Sequence, residues 1–442
     1  MRLGVKQVPK GLVFNLNKKD FRLTYPRNIW KSYSGRNFLT DNLVGLLTIC
    51  MPLVAEFNEV KYNTPLPFFN KEFRKMVLRD IPSAVEDYKD DTKEMLSKFL
   101  RIKYKFKTNR TKKPIFEEEV EEKAIIPVSF GKDSLLTLGV CKEIGLKPHC
   151  FYINDTVSPT ENRIKIKTGK KIAKQEKIKF DIILNEIENL NDFEFWNKKE
   201  SCVGYSHLIT SFAFFALPLC ANYKTKYIIM GNEADLNDAF MNKDGFKTYA
   251  SYDQTIKGTK NLNKMIEKAA DKKVSVKSVI EPLGNIAIMK ILHNRYKGLG
   301  GFQMSCNCLD AVNEPRWCHR CTGCAFLFTV AKAVGVEPKG LGFRRNMFDK
   351  EFLKYHLLFS EEKADRYDKG KDVKEEGIFS FYLAYKNGAK GYLIDLFKKR
   401  FLKEATANED KFHKKFFKIY KFRNYPKQKD EILSIYKEEL NK

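Results

Sequence analysis

The chain has 442 residues, 43% of them hydrophobic, and 35 are phenylalanine. That length exceeds one ordinary core, so two or three domains are expected, with ample apolar material to fill them. No apolar run is expected to reach the roughly 18 residues of a spanning helix, and no basic-then-apolar leader opens the chain, which argues against a membrane protein and for a soluble, cytoplasmic one. The longest apolar stretch, 208 to 221, is interrupted by Thr210, Ser211 and Pro218.

Residues 1–118 read as a mixed α+β domain. Residues 12–16 alternate like a strand, and 21–25 can return as its hairpin partner across a polar turn. Thr40, Asp41 and Asn42 have the chemistry of a helix cap ahead of an apolar run through Leu47. Nothing here has catalytic spacing, and the expected role is to cover a cleft. A basic stretch at 105–113 followed by acids at 117–122, with Pro114 between, marks a boundary.

The most informative stretch follows. An apolar strand ending at Val128 runs into Ser129, Phe130, Gly131, Lys132, Asp133 and Ser134, then into an apolar helix. A turn of small residues before a helix start can fold closely round an anion, because helix N-termini present free N–H groups and a positive dipole end. Lys132 adds a charge and the serines add hydroxyl donors. It is not a Walker loop, since the Gly-x-x-x-x-Gly-Lys-Ser/Thr spacing does not occur.

From there strands alternate with helices. Strands are expected at 149–153, 180–184 and 226–230, and helices at about 161–175 and 204–222, which predicts a parallel sheet with right-handed crossovers. Ligands in such sheets bind beyond the carboxyl ends of the strands. Asn154 and Asp155 end one strand, and Gly231, Asn232 and Glu233 end another. Asn154 and Asp155 are equally well explained as strand-ending turn chemistry. Asp133 and Glu233 are candidates for Mg²⁺, and Glu233 is also a candidate base. Residues 246–258 read as a polar, substrate-facing or ordinary surface loop, and 284–296 as a helix.

Of ten cysteines, Cys50, Cys141, Cys150, Cys202 and Cys220 stand singly in apolar settings, whereas five crowd between 306 and 324. Cys306, Cys318, Cys321 and Cys324 suit a tetrahedral Cys₄ zinc site, with Cys308 an alternative to Cys306. An iron–sulfur cluster takes the same ligands. His319, inside the turn, reads as a neighbour rather than a ligand. The tail, 341–442, is expected to be a basic helical extension in which Phe412, Phe416, Ile419 and Tyr420 recur at helical spacing, more as a packing face than a nucleic-acid platform. The formal charge of +26 fits a nucleic-acid partner, an anionic substrate, or simply a lysine-rich composition.

The 129–134 turn resembles the Ser-Gly-Gly-x-Asp-Ser PP-loop of the ATP pyrophosphatases, with Phe130 where that family usually has its first glycine. The PP-loop and the late cysteine knot together resemble 7-cyano-7-deazaguanine synthases, which are much shorter. Closer in size and order is the UDP-N-acetylmuramoyl-L-alanyl-L-glutamate epimerase family, matched at 129–134, at Asn232 and Glu233, at Ser305, Cys306 and Asn307, and from Trp317 to Cys324. The resemblance spans about 120–335. It implies an adenine-nucleotide α-hydrolase-like fold for 119–340 and cleavage of ATP to AMP and pyrophosphate as a small-molecule carboxylate is adenylated. Lys132, Asp133 and Glu233 would be catalytic. Ser129, Phe130, Gly131, Lys132, Asp133, Ser134, Asn154, Asp155, Gly231 and Asn232 would hold the nucleotide. A PP-loop also serves tRNA thiolation and lysidine formation, the less favoured implication.

Overall fold

The computed structural model describes residues 1–441 except 27–28, 87, 111, 306–315 and 361–372. The chain opens with β1 (Arg2–Val8), β2 (Gly11–Leu16) and β3 (Lys19–Thr24), an antiparallel meander. The leading segment also contains helix α1 (Arg36–Leu47), β4 (Glu59–Tyr62), helix α2 (Asn70–Ala84) and β5 (Lys103–Lys105). The alternating core then runs β6 (Glu121–Pro127), α3 (Lys132–Glu143), β7 (His149–Asn154), α4 (Pro159–Glu176), β8 (Lys179–Asn185), α5 (Leu208–Tyr223) and β9 (Thr225–Ile229). A two-stranded ribbon of β10 (Ala239–Met241) and β11 (Lys247–Tyr249), helix α6 (Ile256–Ala269), β12 (Ser275–Lys277) and α7 (Asn285–Arg295) follow. Helix α8 (Thr322–Ala333) leads to a tail containing α9 (Val373–Lys386), α10 (Glu409–Phe416) and α11 (Lys429–Leu440).

The main sheet has ten strands in the order β12-β9-β6-β7-β8-β3-β2-β1-β4-β5. Its first five are parallel throughout, so the mixed α/β architecture has a parallel core. The leading segment joins this sheet through an antiparallel contact of β3 with β8, where Leu23 faces Asn185. Its apolar side chains also share one cluster with Phe151, Ile183, Phe214 and Ile228.

The parallel strands read as unbroken apolar runs because both faces are covered. Ile125 joins the cluster under α5, while its neighbour Ile126 joins the opposite cluster with Leu135, Ile288 and Tyr436. Successive strand residues point to opposite faces, so each needs a helix layer. A third cluster links Trp317, Phe328, Phe343 and Phe348 with Phe379 and Phe412 of the tail.

Three expectations are corrected. Thr40, Asp41 and Asn42 do not cap a helix but lie buried inside α1, whose N-cap is Gly35. In the tail, Phe412 and Phe416 stack about Phe379, but α10 stops at Phe416, so Ile419 and Tyr420 lie beyond it. Finally, two helical stretches, Arg36–Val54 and Val203–Tyr223, are long and apolar enough to cross a membrane by length and composition. Both are mostly buried within the fold, as core helices are.

Candidate functional site

Numbering the parallel strands in chain order, β6, β7, β8, β9 and β12 lie side by side as third, second, first, fourth and fifth. The order reverses between β6 and β9, and open sheets of this kind bind ligands at that reversal, outside the carboxyl ends. The 129–134 turn follows β6, and Gly231, Asn232 and Glu233 follow β9. The two stretches therefore meet at the switch point. Gly231 lies so close to the turn that an added Cβ would sit 3.2 Å from the Cβ of Asp133.

The turn opens α3, whose N-cap is Gly131. Phe130 takes the left-handed conformation at φ +64°. Its ring turns into the interior against Tyr152 and Phe180, with centroids 5.9 and 6.2 Å away. Its carbonyl accepts the backbone N–H of Met304 at 2.8 Å, which ties the turn to the segment leading toward the cysteines.

A cavity of about 870 Å³ opens over this turn. Ser129, Gly131, Lys132, Asp133 and Ser134 line it, as do Asp155, Gly231, Asn232 and Glu233. Phe130 and Asn154 are outside its lining. Asn232 contributes little of its side chain, which donates to Thr259 Oγ1 at 2.7 Å and accepts from Gln254. Asp155 Oδ1 accepts from the backbone N–H groups of Val157 and Ser158 and from Asn162 Nδ2, the turn chemistry expected at a strand end.

Lys132 Nζ donates to Asp133 Oδ1 at 2.6 Å and to Glu233 Oε2 at 2.8 Å. Burial works against the ammonium, but the two carboxylates overcome it and hold it above its ordinary value. Burial pushes the Glu233 carboxyl well up, the charge of Asp133 adds to that, and Lys132 opposes it. Asp235 belongs to the same cluster. Burial raises it to about 6, while the N–H of Asn285, donating at 2.7 Å, favours its charged form. Three carboxyl groups about one lysine form an oxygen-rich, acid-biased corner beside a helix N-terminus.

Asp235 and the ion pair of buried Lys165 with half-buried Glu161, which sequence reasoning passed over, also line the cavity, as does Ser305. Asp235 had a signal, two residues beyond Glu233 at the same strand end. Ser305 had one only within the cysteine stretch. Its Oγ is buried with no hydrogen-bond partner among the described residues, and lies 3.4 Å from where a Cβ on Gly131 would stand.

The cysteine turn borders the same cavity through Cys321, Thr322 and Gly323. Cys318 Sγ lies 3.5 Å from Cys321 Sγ and 3.8 Å from Cys324 Sγ. Sulfurs at 2.3 Å from a tetrahedral ion are about 3.8 Å apart, so these three can hold a metal ion. Cys321 also caps α8, accepting the N–H of Cys324, and the N–H of Arg320 points at Cys318 Sγ. Such N–H···S contacts favour thiolates. Cys306 and Cys308, the alternatives for a fourth ligand, lie outside the described residues. Buried His319 accepts the N–H of Arg344 through Nε2.

No family model matches the sequence, and no curated protein matches it.

Proposed function

We propose that the protein is an AMP-forming enzyme of the PP-loop type, which activates a carboxylate of a small molecule as an acyl-adenylate. The observation carrying this reading is the placement of the 129–134 turn and the start of α3 at the sheet's switch point, facing a cavity that holds Asp133, Glu233 and Asp235. The α3 N-terminus and the Ser129 and Ser134 hydroxyls suit the two leaving phosphates. At about 870 Å³, the cavity has the size of a large ligand pocket, about 300–1,000 Å³.

The oxygen donors of Asp133, Glu233 and Asp235 suit Mg²⁺, which supplies charge neutralisation at bridging phosphate oxygens when bound. The chain's own residues do the rest. The turn orients the triphosphate, the substrate carboxylate oxygen attacks the α-phosphorus, the bond to the β-phosphate oxygen breaks, and pyrophosphate leaves. Lys132 is positioned to follow the negative charge from its carboxylates to the phosphates. In the epimerase-like version, adenylation acidifies the neighbouring Cα–H. A base removes that proton, a proton returns on the other face, and hydrolysis frees AMP. Glu233, buried and raised, is the candidate for proton transfer. Zinc is the metal proposed for Cys318, Cys321 and Cys324, with Cys306 or Cys308 as the fourth thiolate, because a closed thiolate shell is the structural zinc arrangement.

The test is product analysis. With MgATP and a panel of carboxylates the protein should form AMP and pyrophosphate. ADP and phosphate would refute the assignment.

A further inference from the structure

One side of α4 carries a stripe of cations that no acidic side chain answers among the described residues. At about 100° of turn per residue, Arg163, Lys167, Lys170, Lys171 and Lys174 fall within an arc of about 100°. From Arg163 to Lys174 the stripe is about 16 Å long. All five side chains are exposed, and with half-buried Ile166 they line a groove of about 350 Å³.

The opposite side of the helix is turned to the fold, where Asn162, Lys165, Gly169 and Ile172 are buried. Both acids of the helix lie on that side too, Glu161 paired with Lys165 and Glu176 with Lys142. Glu161 and Lys165 line the large cavity, so stripe and cavity lie on opposite faces of one helix. Other helical lysines find acids: Lys98 meets Glu94, Lys332 meets Glu337 and Lys411 meets Glu375. Within the stripe, by contrast, Arg163 and Lys167, Lys167 and Lys171, and Lys170 and Lys174 are i,i+4 neighbours of like charge. Such pairs disfavour a helix, and a ligand with repeated negative charge removes the repulsion.

A single phosphate or carboxylate is too short to span the stripe. A helix that lies on a membrane buries an apolar face in it, but Ile164 and Ile166 pack inward on core clusters. A protein interface has an apolar, aromatic-rich centre, and the groove offers only Ile166. A phosphodiester backbone is the polyanion that a line of long cations neutralises. Because half of α4 is sunk in the fold, it meets a duplex tangentially, at the phosphates, and the bases stay out of reach. A-form RNA has a deep, narrow major groove, which brings its two phosphate rows close together. Long side chains fanned over about 100° of helix can touch both rows.

We propose that α4 is a docking surface for the backbone of an RNA duplex, bound without regard to sequence. The proposal is independent of the adenylating reading, because the RNA lies on the outer face of the helix and not in the cavity.

The test is fluorescence anisotropy of the full chain with a labelled RNA duplex of about 16 base pairs, which overhangs the stripe. Between about 50 and 200 mM salt the affinity should fall by on the order of a few hundredfold, as five neutralised phosphates release their counterions. A variant carrying Lys167→Gln, Lys170→Gln, Lys171→Gln and Lys174→Gln should bind at least about tenfold more weakly, with a shallower salt slope. Glutamine forms helices about as well as lysine, so α4 keeps its fold. A control variant removes four exposed lysines from other elements: Lys6→Gln, Lys93→Gln, Lys339→Gln and Lys403→Gln. It has the same net charge and should stay within about threefold of wild type. Equal weakening of the two variants would overturn the proposal, as would no binding at low salt or a preference between two unrelated RNA sequences. So would equal or tighter binding of a DNA duplex, or of vesicles of phosphatidylcholine and phosphatidylserine, in competition with the RNA.

Discussion

Phe130 allows a quantitative test of the 129–134 turn, because two opposing effects meet in one residue. Its backbone is left-handed at φ +64°, and its ring is 2% exposed between Tyr152 and Phe180. For an L-residue the left-handed conformation costs about 1–2 kcal/mol, and a bulky side chain does not lessen it. Deleting a buried phenylalanine to alanine costs about 3–5 kcal/mol. Phe130→Ala therefore loses the packing and keeps the strain. Phe130→Gly loses the same packing, releases the strain, and adds about 0.5–1 kcal/mol of chain entropy. The glycine variant should come out more stable than the alanine variant by up to about 1.5 kcal/mol, although it is smaller. Both should be less stable than wild type by a few kcal/mol. Urea midpoints of the three proteins, measured side by side, give the ranking. If alanine proves the more stable replacement, the left-handed turn is wrong, and the phosphate-binding geometry built on it fails too.

Other outcomes follow from the same geometry. Lys132→Met leaves Asp133 and Glu233 without their shared cation, and should destabilise the protein by about 3–5 kcal/mol as seen when one member of a buried ion pair is removed. Denaturant unfolding checks this, and an unchanged midpoint would contradict it. Cys321→Ser should lose bound metal by elemental analysis and melt at lower temperature, since metal binding is coupled to folding. His356 is buried and its Nε2 meets the Met347 carbonyl at 2.8 Å. Burial lowers it to about 4, and that carbonyl contact opposes the shift. A depressed folded value means that this contribution is present above pH 6.5 and is lost as pH falls toward 4, on the order of 3 kcal/mol in total. His356→Gln should flatten that acid limb in thermal melts, and an identical limb would contradict the assignment.

The sequence made the parallel core legible because β6, β7, β8 and β9 are apolar runs between helices, a pattern that follows from burial on both faces. It made the 129–134 turn legible because small residues sit between a strand and a helix. It did not reveal β1, whose apolar positions, Leu3, Val5 and Val8, are scattered among polar ones on a strand where Leu3 alone is buried. Nor did it reveal β12, only three residues long. Thr40, Asp41 and Asn42 misled because such residues favour caps. Within α1, Thr40 Oγ1 and Asn42 Nδ2 instead donate back to the carbonyls of Arg36 and Phe38, while Asn42 Oδ1 accepts the N–H of Phe69. The site shows the same limit. Asn232 was legible as a strand end, but its commitment to Thr259 depends on where α6 packs. The Lys132–Glu233 pair joins residues 101 apart, and only the sheet order brings them together.

The central claim is that the turn between β6 and α3 grips the phosphates that leave. A crystal structure with Mg²⁺ and α,β-methylene-ATP tests it most directly. The β- and γ-phosphates should rest on residues 129–134 at the start of α3, with the metal at Asp133, Glu233 or Asp235. A triphosphate bound anywhere else, or turned so that the adenosine occupies that turn, would contradict the account.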